Sequence, residues 1–583
     1  MKYSKIKIVI FFLLIAFLIG NVNAATITNP LIQVGLHYGT DSMDGINLKN
    51  EVGFGFRFGY YDHTNQFETL GSTDQQSISV VIAKNIYYGT YNGYTSYHTS
   101  LTSSSISVGM YHLQIPYTYN SFDQARTASI SFTNGFPAYI DGSFYTRIGN
   151  YTTRDEAVAA QMSLEANGIH TEIKGTSQYA INVVSTGTNT ILFQFDDLGK
   201  NTGLGIEANQ FAGIEKCATW SKNCLYNGGF RFERIDGGKL TVVNIVELED
   251  YIKGVVPTEM NSNWPIDALK AQAVASRSYF ISLGSRHASD HFDICDSTHC
   301  QAYTGQTRAS DNSNAAVEQT KGQVVLFDGD VAQTYYYSSN GGASESVSVV
   351  WGSSQSLFPY LVGKTDLYEE SLNLTNTWER TFTISEITSK VLFDQNVNGS
   401  IKSVKIDSYT DVGNPKTITF TDNTGTSYTV NSARVYSKLG LPSFRFGFSG
   451  NKITQANSGS PIRSINTSIN INSSSNVNNT EELYVISGDG NISSLGDDVY
   501  IISGSGIVAG LERDPEQSQD ENRTNVYGSN IALVNDGTIT FVGRGWGHNI
   551  GMSQYGAYAM AQYGKDYIDI LKFYYTGVDI GQM

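Results

Sequence analysis

One carboxylate in this chain stands where its neighbours could make it an acid catalyst. Glu259 closes the run Val255-Val256-Pro257-Thr258-Glu259, and Met260 and Trp264 follow it. A carboxyl held among apolar groups has its charged form disfavoured, so it can carry a transferable proton near neutral pH. A solvated glutamate ahead of a helix is the plainer reading of the same residue. A second cluster, His287-Ala288-Ser289-Asp290-His291 through Cys295 and His299-Cys300, offers thiolate and imidazole groups at spacings that suit tetrahedral Zn²⁺. The spacing favours His291, Cys295 and Cys300, with His299 in reserve because it adjoins Cys300. A Cys295–Cys300 disulfide is the rival. No HExxH helix occurs, so a metalloprotease lacks its general base. A third cluster is Tyr335-Tyr336-Tyr337-Ser338-Ser339-Asn340-Gly341-Gly342. A fourth is Gly543-Arg544-Gly545-Trp546-Gly547-His548-Asn549-Ile550-Gly551-Met552-Ser553-Gln554-Tyr555. Glycines there let backbone approach a ligand closely, and Trp, His, Gln and Tyr suit sugar faces and hydroxyls.

The elements that must position these groups follow from pattern. Pro265 suits a first helical turn, and the Ala-rich run predicts a helix to about Leu283. Ile266, Leu269, Ala273, Phe280 and Leu283 form its expected buried stripe, with Lys270 and Arg277 on another face. Glu259 is then expected on a loop just before that helix. Upstream, 26–133 alternates apolar and polar residues and predicts a β-rich region with little helix. Within 137–190 a strand-like Gly142–Gly149 leads to Thr153, an N-cap completed by Glu156 as a capping box. A helix through Leu164 should end at Asn167-Gly168, before a further strand. Residues 451–521 read as a Ser/Asn-rich linker with a small β segment, interrupting a domain whose parts are 229–448 and 530–583. The fold class is therefore α+β and multi-domain.

Lys2, Lys5 and Lys7 precede the apolar run Ile8–Ile19, with small residues to Ala25, the pattern of a secretory signal over 1–25. An uncleaved anchor is the rival, and either way the bulk of the chain lies outside the cytoplasm. With 37 tyrosines and 57 glycines but ten prolines, composition agrees with β-rich structure and polar turns. A net charge of −16 argues against nucleic acid as partner, and leaves an uncharged glycan open.

The text over 137–190 resembles the SPOR domain, a small module that binds glycan strands stripped of stem peptides. Across 229–583, Val256-Pro257-Thr258-Glu259-Met260, Leu269–Ala275, Cys295-x4-Cys300-Gln301, Ser339–Gly342 and Gly545–Ala557 occur in the order of the SpoIID/LytB family, which the chain resembles. The resemblance implies a mixed α/β catalytic domain that cleaves peptidoglycan glycans by lytic transglycosylation, giving 1,6-anhydro ends, in wall remodelling or sporulation. It implies Glu259 as catalytic acid. Lys270, Gln272, Arg277, Tyr279, Ser339, Asn340, Gly341, Gly342, Trp546, His548, Ser553, Gln554 and Tyr555 would contact the glycan. Zn²⁺ at Cys295, Cys300 and a histidine would be structural, and no organic cofactor is expected. Peptidoglycan strands and a cell-wall amidase are the implied partners. The alternative is a non-catalytic glycan-binding protein or amidase enhancer. Asn549 departs from the family pattern, which has glycine there.

Overall fold

The structure is a computed structural model. It describes residues 29–101, 104–175, 177–210, 216–371, 376–449, 528–534 and 536–583, with short strands between 469 and 510. The expected secretory segment over 1–25 lies outside the described residues, as does much of the 451–521 insertion. Among the described residues no helix is long and apolar enough to cross a membrane. The chain forms two compact units, Met1–Thr334 with Val578–Met583, and Tyr335–Gly577. The boundary falls inside the span 229–448.

The first unit is built on a seven-stranded and a ten-stranded sheet. Strands such as Ser77–Ile82 and Thr241–Glu247 are rich in Val and Ile and buried on both faces, as β-branched side chains favour. Phe58 of the smaller sheet stacks on Phe193 of the larger at 5.3 Å, and Phe122 meets both edge-on. Phe122 opens a helix, Phe122–Ser129, in a region expected to hold little helix. From Tyr111 to Lys174 the elements run strand, helix, strand, strand, helix, strand. These four strands lie in the spatial order fourth, first, third, second. That is the split βαβ topology. It begins before residue 137, and its sheet continues without a break, through Gly135–Ile140 pairing parallel with Ile191–Asp196, into the rest of the unit. Its second helix, Arg154–Glu165, carries the expected Thr153–Glu156 capping box.

The second unit has its core around Trp378, Phe420, Phe446, Phe448 and Phe541. Thr538–Arg544 is the middle strand between Thr377–Thr383 and Arg445–Phe448, so chain that follows the insertion completes a sheet begun before it. Within the insertion, three hairpins pair Ile469–Ile471 with Ser475–Val477, Tyr484–Ile486 with Ile492–Ser494, and Tyr500–Ser503 with Gly506–Gly510.

Candidate functional site

Glu259 is not on a loop: it is the last residue of a helix, Leu248–Glu259, capped by Met260. Pro257 lies inside this helix, where it removes one backbone donor. Thr258 Oγ1 donates to the Gly254 carbonyl at 2.8 Å. The next helix, Ile266–Leu283, ends where its composition predicts. It is buried almost all round from Ala268 to Tyr279 rather than along one stripe, and Ile266, Phe280 and Leu283 are only half-buried. Its Ala and Ser side chains let the Glu259 helix, the helix Asp311–Gln319 and the strand Gln323–Phe327 all pack against it.

Glu259 is half-buried, and its Oε1 accepts the Ala302 N–H at 2.8 Å. The residues flanking Ala302 fix that amide. Gln301 accepts from Tyr251 Oη at 3.0 Å and donates to the Ser276 carbonyl at 3.2 Å, tying both helices together. Tyr303 Oη donates to Asn244 Oδ1 at 2.8 Å. Gly254 lets this segment approach, because a Cβ there would lie 2.5 Å from the Tyr303 ring and 2.6 Å from the Gly305 carbonyl.

Arg277 does not face a ligand. It is fully buried, and its Nε and Nη2 donate to the two Glu249 oxygens at 2.9 and 2.7 Å, while Nη1 donates to the Gln323 carbonyl at 2.8 Å. A forked pair of this kind joins two helices and leaves no guanidinium donor pointing outward. Gln272 is buried as well, donating to Ser276 Oγ. Tyr279 is nearly buried, and Lys270, 3.6 Å from Asp267, is partly exposed. Of the four helix residues expected to meet glycan, Lys270 keeps the most surface.

The cysteine–histidine cluster forms with different histidines from those expected. His291 adopts φ 67° and turns its Nδ1 to Glu233 Oε1, 2.7 Å away, which removes it from the group. His287, Cys295, His299 and Cys300 instead bring their ligand atoms within 4.8 Å of one another. His299 Nδ1 lies 3.6 Å from Cys295 Sγ, 3.7 Å from Cys300 Sγ and 3.3 Å from His287 Nε2. Neither cysteine is in a disulfide, and Cys217 and Cys224 are free as well. Bonds of ~2.0–2.3 Å to a tetrahedral zinc place ligand atoms ~3.3–3.8 Å apart, so this donor set fits the ion. His287 Nδ1 bonds Asp290 Oδ2 at 2.9 Å, the outer carboxylate that orients a metal-bound imidazole. The hydrogen bond between the two thiols pushes Cys295 down and Cys300 up.

In the second unit two glycine-rich motifs meet. Ser339 and Trp546 exchange backbone hydrogen bonds at 3.0 and 2.8 Å, and the Tyr555 N–H donates to the Ser338 carbonyl at 2.9 Å. Ser339, Asn340 and Ser553 are fully buried and gathered around an acid the motifs do not contain. Glu369 accepts from Ser339 Oγ, from the Asn340 N–H at 3.0 Å, from the Gly341 N–H at 3.2 Å and from Ser553 Oγ at 2.8 Å. Burial, followed by the nearby Asp366, pushes its carboxyl up to about 7. These side chains build the turn rather than reach outward. His548 Nδ1 accepts the Ile550 N–H at 3.1 Å, and burial pushes the imidazole down to about 4, so it is a neutral brace beneath Tyr337 and Trp351. Trp546, 54% exposed, is the open residue among the expected contacts; Gly342 and Gln554 are buried, and Gly341 and Tyr555 half-buried. Asn549 replaces glycine without loss. It takes φ 62°, which asparagine tolerates, and its amide bonds the Asn340 and Ala343 carbonyls and the Phe444 N–H.

Residues 236–327, which hold Glu259 and the cysteine–histidine cluster, match the family model SpoIID, stage II sporulation protein. The amidase enhancer of Bacillus subtilis is 30% identical over 337 residues, which are 56% of this chain and 40% of that protein. Stage II sporulation protein D of Bacillus subtilis is 24% identical over 403 residues, 66% of this chain and 88% of that protein. A 48-residue stretch is 58% identical to stage II sporulation protein D of Bacillus amyloliquefaciens. The chain thus spans well under two thirds of the amidase enhancer's length. Residues 236–327, which contain Glu259 and the Ala302 amide, are thus a SpoIID-type segment, and the chain around them is similar to the amidase enhancer and to stage II sporulation protein D.

Proposed function

We propose that this protein is a lytic transglycosylase acting on peptidoglycan glycan strands that lack stem peptides. The observation that carries the reading is Glu259, half-buried in the segment matching SpoIID and oriented by the Ala302 amide. Hydrolytic glycosidases use two carboxylates, one of them to attack or to activate water. Transglycosylation needs one group that acts twice. Glu259 gives its proton to the glycosidic oxygen as the bond to the muramic C1 breaks. It then takes the proton of the same sugar's C6 hydroxyl as that oxygen bonds C1, which regenerates the acid and leaves a 1,6-anhydro end. Lys270, on the helix that follows Glu259, keeps surface with which to meet the strand. Zinc, held by His287, Cys295, His299 and Cys300, would brace the loop that runs directly into Gln301, Ala302 and Tyr303. A protein with this substrate would act outside the cytoplasm. Incubation with amidase-treated peptidoglycan, followed by mass spectrometry, should yield anhydro-ended fragments; intact strands after full incubation would reject the activity.

The relative named amidase enhancer supports a second reading, in which the protein binds glycan and stimulates a wall amidase. The split βαβ region over Tyr111–Lys174 would serve that role by binding denuded strands. Faster peptide release by an added amidase, with no anhydro products, is its signature.

A further inference from the structure

Glu369 is absent from every motif the sequence singles out, yet the two glycine-rich motifs of the second unit converge on it. Its carboxylate is contacted by four donors from two separated segments, Ser339–Gly341 and Ser553. Two of them are consecutive backbone amides, and Gly341 has φ 67°, so the Ser339–Gly342 turn is wrapped round an internal anion. A neighbouring acid repeats the arrangement one layer away. Asp366 takes the Asn340 side-chain amide and the Tyr574 hydroxyl, and caps the short helix Leu367–Ser371 through the Tyr368 N–H at 3.0 Å and the Glu369 N–H at 3.3 Å. The space is closed as well as bonded: a Cβ at Gly556 would lie 1.8 Å from the Tyr574 hydroxyl and 2.4 Å from Asp366.

We infer that Glu369 is the positioning residue of the glycan-binding surface, holding the Ser339–Gly342 turn and the Gly545–Tyr555 loop in the conformation that presents Trp546 to the sugar. The inference rests on the proposed glycan substrate. The physical ground is the placement of Trp546. Its backbone N–H and carbonyl are both bonded to Ser339, and Ser339 is bonded to Glu369. A shift of the turn therefore moves the tryptophan. Glu369 touches no substrate, so its loss should weaken binding of the strand while leaving the acid chemistry of Glu259 intact.

Glu369→Gln keeps the volume but turns a donor towards donors. Ser553→Ala removes a single one of the four contacts and is the milder variant. Both are compared with wild type in the full chain, by binding to amidase-treated peptidoglycan and by the KM and kcat of its cleavage, with melting curves alongside. Hydrogen bonds to a charged group justify an expected loss of about tenfold in affinity and a matching rise in KM for Glu369→Gln, with a smaller change for Ser553→Ala. The value of kcat should stay within about threefold of wild type, since the acid is untouched. Unchanged affinity in both variants overturns the inference, and so does a fall in kcat at constant KM that follows the unfolded fraction. Wild-type protein that neither binds nor cleaves denuded glycan ends the proposed function, and this inference with it.

Discussion

At the scale of single residues, the chemistry-bearing positions divide by how local their signal is. Glu259 stands out in the sequence as a candidate acid because a proline, a β-branched pair and an Ala-rich helix surround it within about twenty residues. Its partner Ala302 was not, since nothing in an alanine's side chain announces that its amide will meet a carboxylate 43 residues away. The candidate metal ligands show the same limit. Spacing favours His291, but its left-handed backbone sends the ring to Glu233, while a single turn, Ala288–Asp290, returns His287 to the cysteines. Two outcomes follow. Protein purified without chelator should contain about one zinc per chain, as a four-donor site binds one ion. His287→Ala or His299→Ala should lose most of it, whereas His291→Ala should keep it. Elemental analysis checks this, and equal retention in all three would remove the site.

At the scale of elements, the Ala-rich helix was readable from its composition, but its surroundings were not. A periodic stripe predicts one buried face, and small residues allowed burial on several. Arg277 was expected at a glycan and is instead the bidentate partner of Glu249. Breaking one half of a buried pair strands the other charge, so Arg277→Ala should cost about 3–5 kcal/mol in urea unfolding. A loss below about 1 kcal/mol with a large rise in KM would return it to the substrate. Gly254→Ala tests the contact between the Glu259 helix and the Tyr303 segment. The added methyl overlaps a ring and a carbonyl, an overpacking that costs about 1–3 kcal/mol. Glu259 should lose its alignment with Ala302 as well, so cleavage should fall more than stability.

At the scale of the whole molecule, the strand–helix alternation made the split βαβ region partly visible, since Thr153 and Glu156 cap its second helix as their types predict. That its sheet runs on through Ile191–Asp196 was hidden, because pairing of distant strands leaves no mark in either strand alone. This continuous sheet buries His112, whose ring bonds the Gly149 carbonyl at 2.7 Å. Burial, then the nearby Arg147, pushes its imidazole from 6.5 down to about 3. The unfolded chain therefore binds a proton that the folded chain refuses, and the contribution of His112 to stability falls as pH drops from 6.5 to about 3. His112→Gln should destabilise the protein at pH 7, and the gap from wild type should narrow on acidification. A gap that widens would contradict the buried neutral ring.

The most direct test of the account compares wild type and Glu259→Gln on amidase-treated peptidoglycan, with products identified by mass spectrometry. The substitution keeps shape and the Ala302 contact but removes the transferable proton. The account predicts 1,6-anhydro ends from wild type and a fall of at least ~10²–10⁴-fold in their rate of formation with Glu259→Gln, at unchanged melting temperature. Anhydro products formed at near-wild-type rate by Glu259→Gln would contradict it.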